Sequence, residues 1–235
     1  MRFTSFLFVS VLLLSCDNDQ PSISNVPVIE FVDFNFIDGT ELDTLQLKFN
    51  FQDSNFDLGL DPTEQDPPYH RTEYFYLENG QLRTVINEIP DDPIKIGASD
   101  TLPIFDCLFY EIWDHDTIYA RKNTFYDNIF FGIYDSNGLR SQDFYDALIP
   151  CQELNSRFPK LFRENGQIPS QIVREGAFEI ELDGDQSGVM TFNVIFVNDF
   201  FNFFLGGKTI TAKARIVDRE FNFSNEIQTT EITFD

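Results

Sequence analysis

The sequence has few of the residues that most often carry catalysis or bind transition metals. Of its 235 residues only two are histidine and three are cysteine. Neither His70 nor His115 belongs to an H-E-x-x-H motif or has another histidine at metal-ligand spacing, and no G-x-S-x-G segment supplies a serine nucleophile. The sequence therefore predicts a non-catalytic protein. A secreted glycan hydrolase that uses paired carboxylates is the less favoured alternative.

Basic residues are also scarce. Lysine and arginine number 16 against 39 aspartates and glutamates, which gives a formal net charge of −23 at pH 7. Such a surface repels nucleic-acid phosphates and anionic lipid headgroups. We therefore expect no nucleic-acid partner and no membrane contact apart from a lipid anchor.

No apolar run is long enough to cross a bilayer. The run at residues 3–14 follows one positive charge and falls short of the ~20 residues that a spanning helix needs, so residues 1–15 are predicted to be a signal peptide. The segment Leu13-Leu14-Ser15-Cys16 resembles a bacterial lipobox, which predicts that Cys16 is lipidated. The alternative is an ordinary signal peptide that ends nearby. Residues 16–25 are polar and are expected to form a flexible tether.

Helical periodicity is almost absent, and alternation of period two takes its place. Apolar and polar residues alternate at 45–51, 178–182 and 210–216, and the apolar phase slips between Phe31 and Phe34 as in a β-bulge. The pair Asn79-Gly80 between β-rich runs predicts a hairpin, and a second turn is expected at 135–138. Residues 141–148 are at most a short helix, and Gly206-Gly207 is interpreted as a hairpin turn.

These patterns predict an all-β, immunoglobulin-like antiparallel sandwich over residues 26–235. Its core has ample material, because 42% of the residues are hydrophobic and 28 are phenylalanine. Residues 61–174 are interpreted as a large insertion in this one domain. The alternative is two packed β-sandwiches with a boundary near 165–175.

Two cysteines remain once Cys16 is set aside. Cys107 and Cys151 form an even pair in a chain that is expected to reach an oxidising compartment, so a disulfide between them is predicted. A bridge over 44 positions would stabilise the fold by ~3–4 kcal/mol. Two separate buried thiols are the alternative.

Two polar loops stand out. Asp53, Asn55 and Asp57 place side-chain oxygens at the i, i+2 and i+4 spacing that begins many calcium loops, although Leu58 occupies the sixth position, where an EF-hand has glycine. The second loop lies between a predicted strand at 209–217 and the last predicted strand at 226–234. In an immunoglobulin-like sandwich these loops emerge at one end, which predicts that the first loop lies near four residues of the second: Asp218, Arg219, Asn222 and Asn225.

Two interpretations of this end stay open. In the first, Arg219 forms a two-pronged ion pair with Asp53 or Asp57, while Asn222 and Asn225 cap loop backbone, and together they make a polar latch. In the second, Ca²⁺ is bound by four side chains, Asp53, Asn55, Asp57 and Asp218. No other cofactor is expected.

The chain resembles a family of uncharacterised Bacteroidota lipoproteins with an immunoglobulin-like β-sandwich. The likeness runs through Pro27-Val-Ile-Glu-Phe31, Asp43-Thr44-Leu45, the segment at 51–59, Pro67-Pro68-Tyr69-His70, Arg157-Phe158-Pro159 and the segment at 216–225. The resemblance implies an outer-membrane lipoprotein on the cell surface, and acidic residues after Cys16 resemble the export signal of that phylum. A periplasm-facing position is the alternative.

The expected function is binding of an unknown protein or glycan partner at the cell surface. A structural or assembly role in the outer envelope is the second hypothesis, and a secreted glycan hydrolase is the third.

Overall fold

The computed structural model describes residues 25–55, 57–61, 63–86, 88–95, 108–141, 154–161, 172–175, 177–183 and 187–234. Cys16, Cys107 and Cys151 lie outside these residues, so lipidation and the disulfide stay predictions. The signal peptide, almost all of the tether and most of the short helix expected at 141–148 lie outside them as well.

The fold is all-β, as predicted, and the strands pair antiparallel throughout the described residues. The strands are β1 (Val28–Ile37), β2 (Leu42–Gln52), β3 (Thr72–Glu78), β4 (Gln81–Ile86), β5 (Leu108–Trp113), β6 (Asp116–Lys122), β7 (Ile129–Asp135), β8 (Ile172–Glu175), β9 (Phe178–Leu182), β10 (Ser187–Val197), β11 (Thr209–Ile216), β12 (Ile227–Gln228) and β13 (Ile232–Thr233). A 3₁₀ turn at Thr124–Tyr126 precedes β7.

Two of the three sheets form the sandwich. The first has the order β1-β2-β10-β9-β8, and in the second β11 pairs with β7 on one side and with β12 and β13 on the other. Alternate residues of β2, such as Leu47 and Phe49, are fully buried and share one core with Ile133 of β7 and Ile210 of β11. Burial of one face of each sheet explains the period-two pattern of the sequence. The third sheet, β4-β3-β6-β5, lies in the predicted insertion and has small apolar clusters of its own.

The structure confirms the bulge and the two turns that were predicted from local sequence patterns. The β1–β2 register shifts between Phe31 and Asp33, where the bulge was predicted. Asn79 and Gly80 have φ of 52° and 76° and join β3 to β4, as expected of a two-residue hairpin loop with both φ positive. The turn after β7 is also confirmed, because Gly138 has φ 75° and its N–H donates to Asp135.

Two expectations near the C-terminus are corrected. Phe200–Leu205 is a short α-helix, α1, and Gly206-Gly207 ends this helix instead of turning a hairpin. Burial of Phe201 and Leu205 holds α1 against the core. The last strand is divided into β12 and β13, because the Oγ1 of Thr229 replaces a backbone acceptor and takes the N–H of Ala212 at 2.8 Å. With α1 at six residues, the described part of the chain has no helix that could span a membrane.

Candidate functional site

The first polar loop turns back on itself directly after β2. Asp53 is completely buried, and its Oδ2 accepts the N–H of Asp57 at 3.0 Å. Gly59 then passes so close to another segment that a Cβ would lie 2.1 Å from the carbonyl oxygen of Pro159. Backbone hydrogen bonds from Leu60 N to Phe158 O and from Leu161 N to Leu58 O fix this crossing. The loop is therefore held on both sides of Asp57.

The second loop is a tight hairpin that begins where β11 ends. Val217 and Phe223 form a β-bridge, and the carboxylate of Asp218 accepts both the backbone N–H (2.8 Å) and the side-chain Nδ2 (2.9 Å) of Asn222. Phe221 adopts a left-handed φ of 66°, which is strained for a bulky residue. This hairpin fixes the position of Asp218, which is buried with 3% exposure.

The structure brings Asp53, Asp57 and Asp218 together in what we call the acid cluster. One carboxylate oxygen of each lies within 4.8 Å of the others. Burial, together with the charges of Asp218 and Asp53, raises the pKa of Asp57 to about 7. Burial also raises the pKa of Asp53. Asn55, which the calcium hypothesis included, has an exposed side chain, in contrast to the buried Asp53 and Asp218.

Arg219 forms its ion pair with a residue that the sequence analysis did not assign. Its Nη1 and Nη2 donate to Oε2 and Oε1 of Glu64 at 2.8 and 2.6 Å, so the expected pairing with Asp53 or Asp57 is wrong. This geometry arises because the Nη2 of Arg157 donates to the carbonyls of Asp61 and Glu64 and holds that turn near the loop of Arg219. The hydrogen bond from Arg219 lowers the pKa of Glu64.

A signal for Glu64 was present in the sequence. Glu64 is the twelfth residue counted from Asp53, the position at which an EF-hand loop carries its bidentate glutamate. In this fold its two oxygens serve the guanidinium instead, and the phenol of Tyr69 donates to the carbonyl of Arg219 at 3.0 Å. The latch thus exists as an ion pair beside the acid cluster.

Asn225 supplies a second part of the latch. Its Oδ1 accepts the N–H of Ile29 at 2.9 Å, and its Nδ2 donates to the carbonyl of Ile29 at 2.8 Å. The amide therefore pairs with β1 as a neighbouring strand would. Asn225 therefore caps backbone as expected, whereas the side chain of Asn222 donates to the Asp218 carboxylate and not to backbone.

The space beside Asp218 is small. A cavity of about 10 Å³ lies among Tyr69, Phe125, Asn128, Asp218 and Phe221, which is room for about one water. An open concavity of about 360 Å³ lies on the outer face of the first sheet, between β1, β2 and the start of β10. Neither concavity brings the acid cluster against a space that fits a sugar ring.

A row of aromatic rings continues from this end of the sandwich. Tyr69, Phe221, Phe125 and Phe223 follow one another with ring centroids 4.5–6.3 Å apart. The guanidinium of Arg215 lies 4.3 Å from the centroid of the Phe223 ring. Phe221 is 36% exposed and the other three rings are half-buried, so the row does not form an open platform.

The opposite end of the first sheet exposes apolar side chains on its outer face. Val197 lies beside Leu42, and Ile37 and Ile195 flank Thr44 from either side. Val197 is 65% exposed, and the other three apolar residues are about half exposed. Phe203 of α1, which follows β10 at this end, is 81% exposed. We call these five apolar residues the apolar end.

No family model, curated protein or solved structure matches the chain. The resemblance to the Bacteroidota lipoproteins therefore stays a prediction, and the arguments below rest on the geometry of the two ends.

Proposed function

We propose that the protein is a non-catalytic outer-membrane lipoprotein, anchored through Cys16 on the cell surface, that binds a protein partner through its apolar end. The observation that supports this proposal best is the exposure of Leu42, Val197 and Phe203 on a highly charged chain. Large apolar side chains that stay exposed together mark interaction surfaces on proteins of this kind.

The position of the tether supports the same surface. Val28 pairs with Gln52, and the side chain of Asn25 accepts a hydrogen bond from Ser54, so the tether joins the domain beside Asp53. Strand β2 has 11 residues and a length of roughly 35 Å, which separates the tether from the apolar end. A lipid on Cys16 would leave the apolar end far from the membrane and open to a partner.

The chemistry of the apolar end favours a protein over a glycan. Leu42, Ile195 and Val197 offer no hydrogen bonds to sugar hydroxyls, whereas aliphatic and aromatic side chains suit the desolvated centre of a protein interface. The aromatic row at the other end is partly covered by Arg215. A structural or assembly role in the envelope would use the same surface with a permanent partner. A hydrolase is not proposed, because the cavity that Asp218 lines has room for about one water.

Labelled protein added to envelope fractions of the producing cells tests the proposal. Binding should fall at least tenfold for Val197→Asp and for Phe203→Ser, since both remove exposed apolar surface without opening the core. Leu139→Ser is the matched control, because Leu139 is 66% exposed but lies in the turn after β7. Protease treatment of the envelope should abolish binding.

Other outcomes would redirect the proposal. Binding that survives both apolar-end variants would reject the apolar end, and binding that is lost on periodate oxidation instead of proteolysis would identify a glycan.

The anchor is tested separately. Cys16→Ser should move the protein from the detergent phase to the aqueous phase, and unchanged partitioning would defeat the lipid assignment.

A further inference from the structure

We propose that the acid cluster binds a calcium ion. Three carboxylates from two loops far apart in sequence, Asp53, Asp57 and Asp218, converge at the end of β2 with one oxygen of each within 4.8 Å of the others. The inference is independent of the partner proposed above, because the acid cluster lies at the opposite end of the sheet.

No ion pair neutralises the cluster among the described residues. Asp53 and Asp218 are 0% and 3% exposed, and none of the ion pairs among the described residues includes a member of the cluster. Arg219, whose charge interacts with that of Asp57, places both nitrogens of its guanidinium fork on Glu64. Buried carboxylates that repel one another without a counter-ion are unfavourable, and the repulsion is relieved either by a proton on Asp57, whose pKa is raised, or by a cation from solution.

Two oxygens of the cluster are buried and have no hydrogen-bond donor. They are Oδ1 of Asp53 and Oδ1 of Asp57. The remaining oxygens are partly engaged, since Asp53 Oδ2 accepts the Asp57 N–H and both oxygens of Asp218 accept from Asn222. These hydrogen bonds orient the carboxylates and leave the two Oδ1 atoms for a metal ion.

Calcium fits this donor set best. All the donors are oxygens, which calcium and magnesium prefer to nitrogen or sulfur. Two oxygens that bind one Ca²⁺ at ~2.3–2.6 Å lie at most ~5 Å apart, and the 4.8 Å span satisfies that limit. Calcium also tolerates irregular sites completed by backbone oxygens and water, whereas Mg²⁺ requires near-ideal octahedral geometry. We expect a Kd of about 10⁻⁴ M, the class of extracellular calcium modules.

Calorimetric titration of the full-length, chelator-treated protein in detergent tests the site. Calcium chloride should give saturable heat, and 5 mM calcium should raise the melting temperature by about 5 °C at matched ionic strength. Asp57→Asn and Asp218→Asn should lose both effects. Asp114→Asn should keep them, because Asp114 is 79% exposed and lies outside the cluster.

Thermal unfolding in chelator distinguishes a metal ligand from a residue with a purely structural role. Asp57→Asn should then melt at or above the temperature of the wild type, because the substitution removes one of three repelling charges, while with calcium present the order should reverse. Absence of heat at millimolar calcium would overturn the site. A calcium shift retained by Asp57→Asn would overturn it too, and an equal shift with Mg²⁺ would overturn the assignment to calcium.

Discussion

Asn128 links the segments that carry the candidate site, and its replacement gives the sharpest test of how the site is built. Asn128 is 2% exposed and lies directly before β7. Its Oδ1 accepts the N–H of Phe158 at 2.7 Å, its Nδ2 donates to the carbonyl of Phe158 at 3.2 Å, and its own carbonyl accepts the N–H of Val217 at 3.0 Å. One residue thus joins β7, the segment that crosses Gly59 and the residue before Asp218.

The cost of Asn128→Ala can be worked out from these contacts. The Phe158 carbonyl keeps one donor, the N–H of Leu60, but the Phe158 N–H is left buried without a partner. An orphaned buried donor costs ~1–3 kcal/mol, and the lost bond to the carbonyl adds ~1 kcal/mol. We expect the free energy of unfolding to fall by about 2–4 kcal/mol.

Urea unfolding of the full chain measures this loss. Asn35→Ala is the matched control, because Asn35 donates to Asp33 in an exposed hydrogen bond, and its effect should stay within ~0.5 kcal/mol. Asn128→Asp should destabilise at least as much as alanine at pH 7, since the carboxylate loses the donor and faces the Phe158 carbonyl. A loss below ~1 kcal/mol for Asn128→Ala would refute the reasoning.

Three further predictions concern the latch, the crossing and the cysteines. Glu64→Gln should lower the free energy of unfolding by about 1 kcal/mol at pH 7. Because Arg219 lowers the pKa of Glu64, this contribution is present above the ordinary pKa of 4.5 and is lost as pH falls through the lowered pKa; a variant whose deficit is unchanged at pH 3 would contradict the ion pair. Gly59→Ala should destabilise the protein by more than ~2 kcal/mol because its Cβ meets the Pro159 carbonyl, whereas Gly138→Ala, with φ 75° and open space, should cost only about 1 kcal/mol; equal urea midpoints would show that the close approach is unimportant. Non-reducing mass spectrometry should find a peptide that links Cys107 to Cys151, and two alkylatable thiols would count against the bridge.

The strands were predictable where burial and local turn chemistry agree. Residues 45–51 alternate because one face of β2 meets the core, and Asn79-Gly80 adopts the two positive φ angles that its turn requires. Helix α1 was not predictable in this way. It is six residues long, is apolar on nearly every side, and is fixed by the burial of Phe201 and Leu205 and not by a repeating pattern.

The site was predictable to the extent that topology determines it. Asp53 follows β2 and Asp218 follows β11, so a sandwich that places both strand ends at one pole brings the two side chains together. The partner of Arg219 depends instead on the turn at 61–64, which Arg157 binds from a segment about 95 residues later. No local pattern encodes such a contact, although the position of Glu64 in the loop gave a hint.

The shapes of the side chains explain why Arg219 neutralises Glu64 and not the acid cluster at this end of the sandwich. Glu64 offers two oxygens in the plane that a guanidinium fork matches, and the Tyr69 ring lies 5.3 Å from the guanidinium carbon of Arg219, so the planar cation is well bound there. The unpartnered oxygens of Asp53 and Asp57 are buried, and a bare metal ion or a proton suits such a site better than a bulky guanidinium does. The latch is therefore neutral without help from solution, while the acid cluster is not. Order in the two loops beside the tether should consequently depend on the ions of the medium, whereas the apolar end should not.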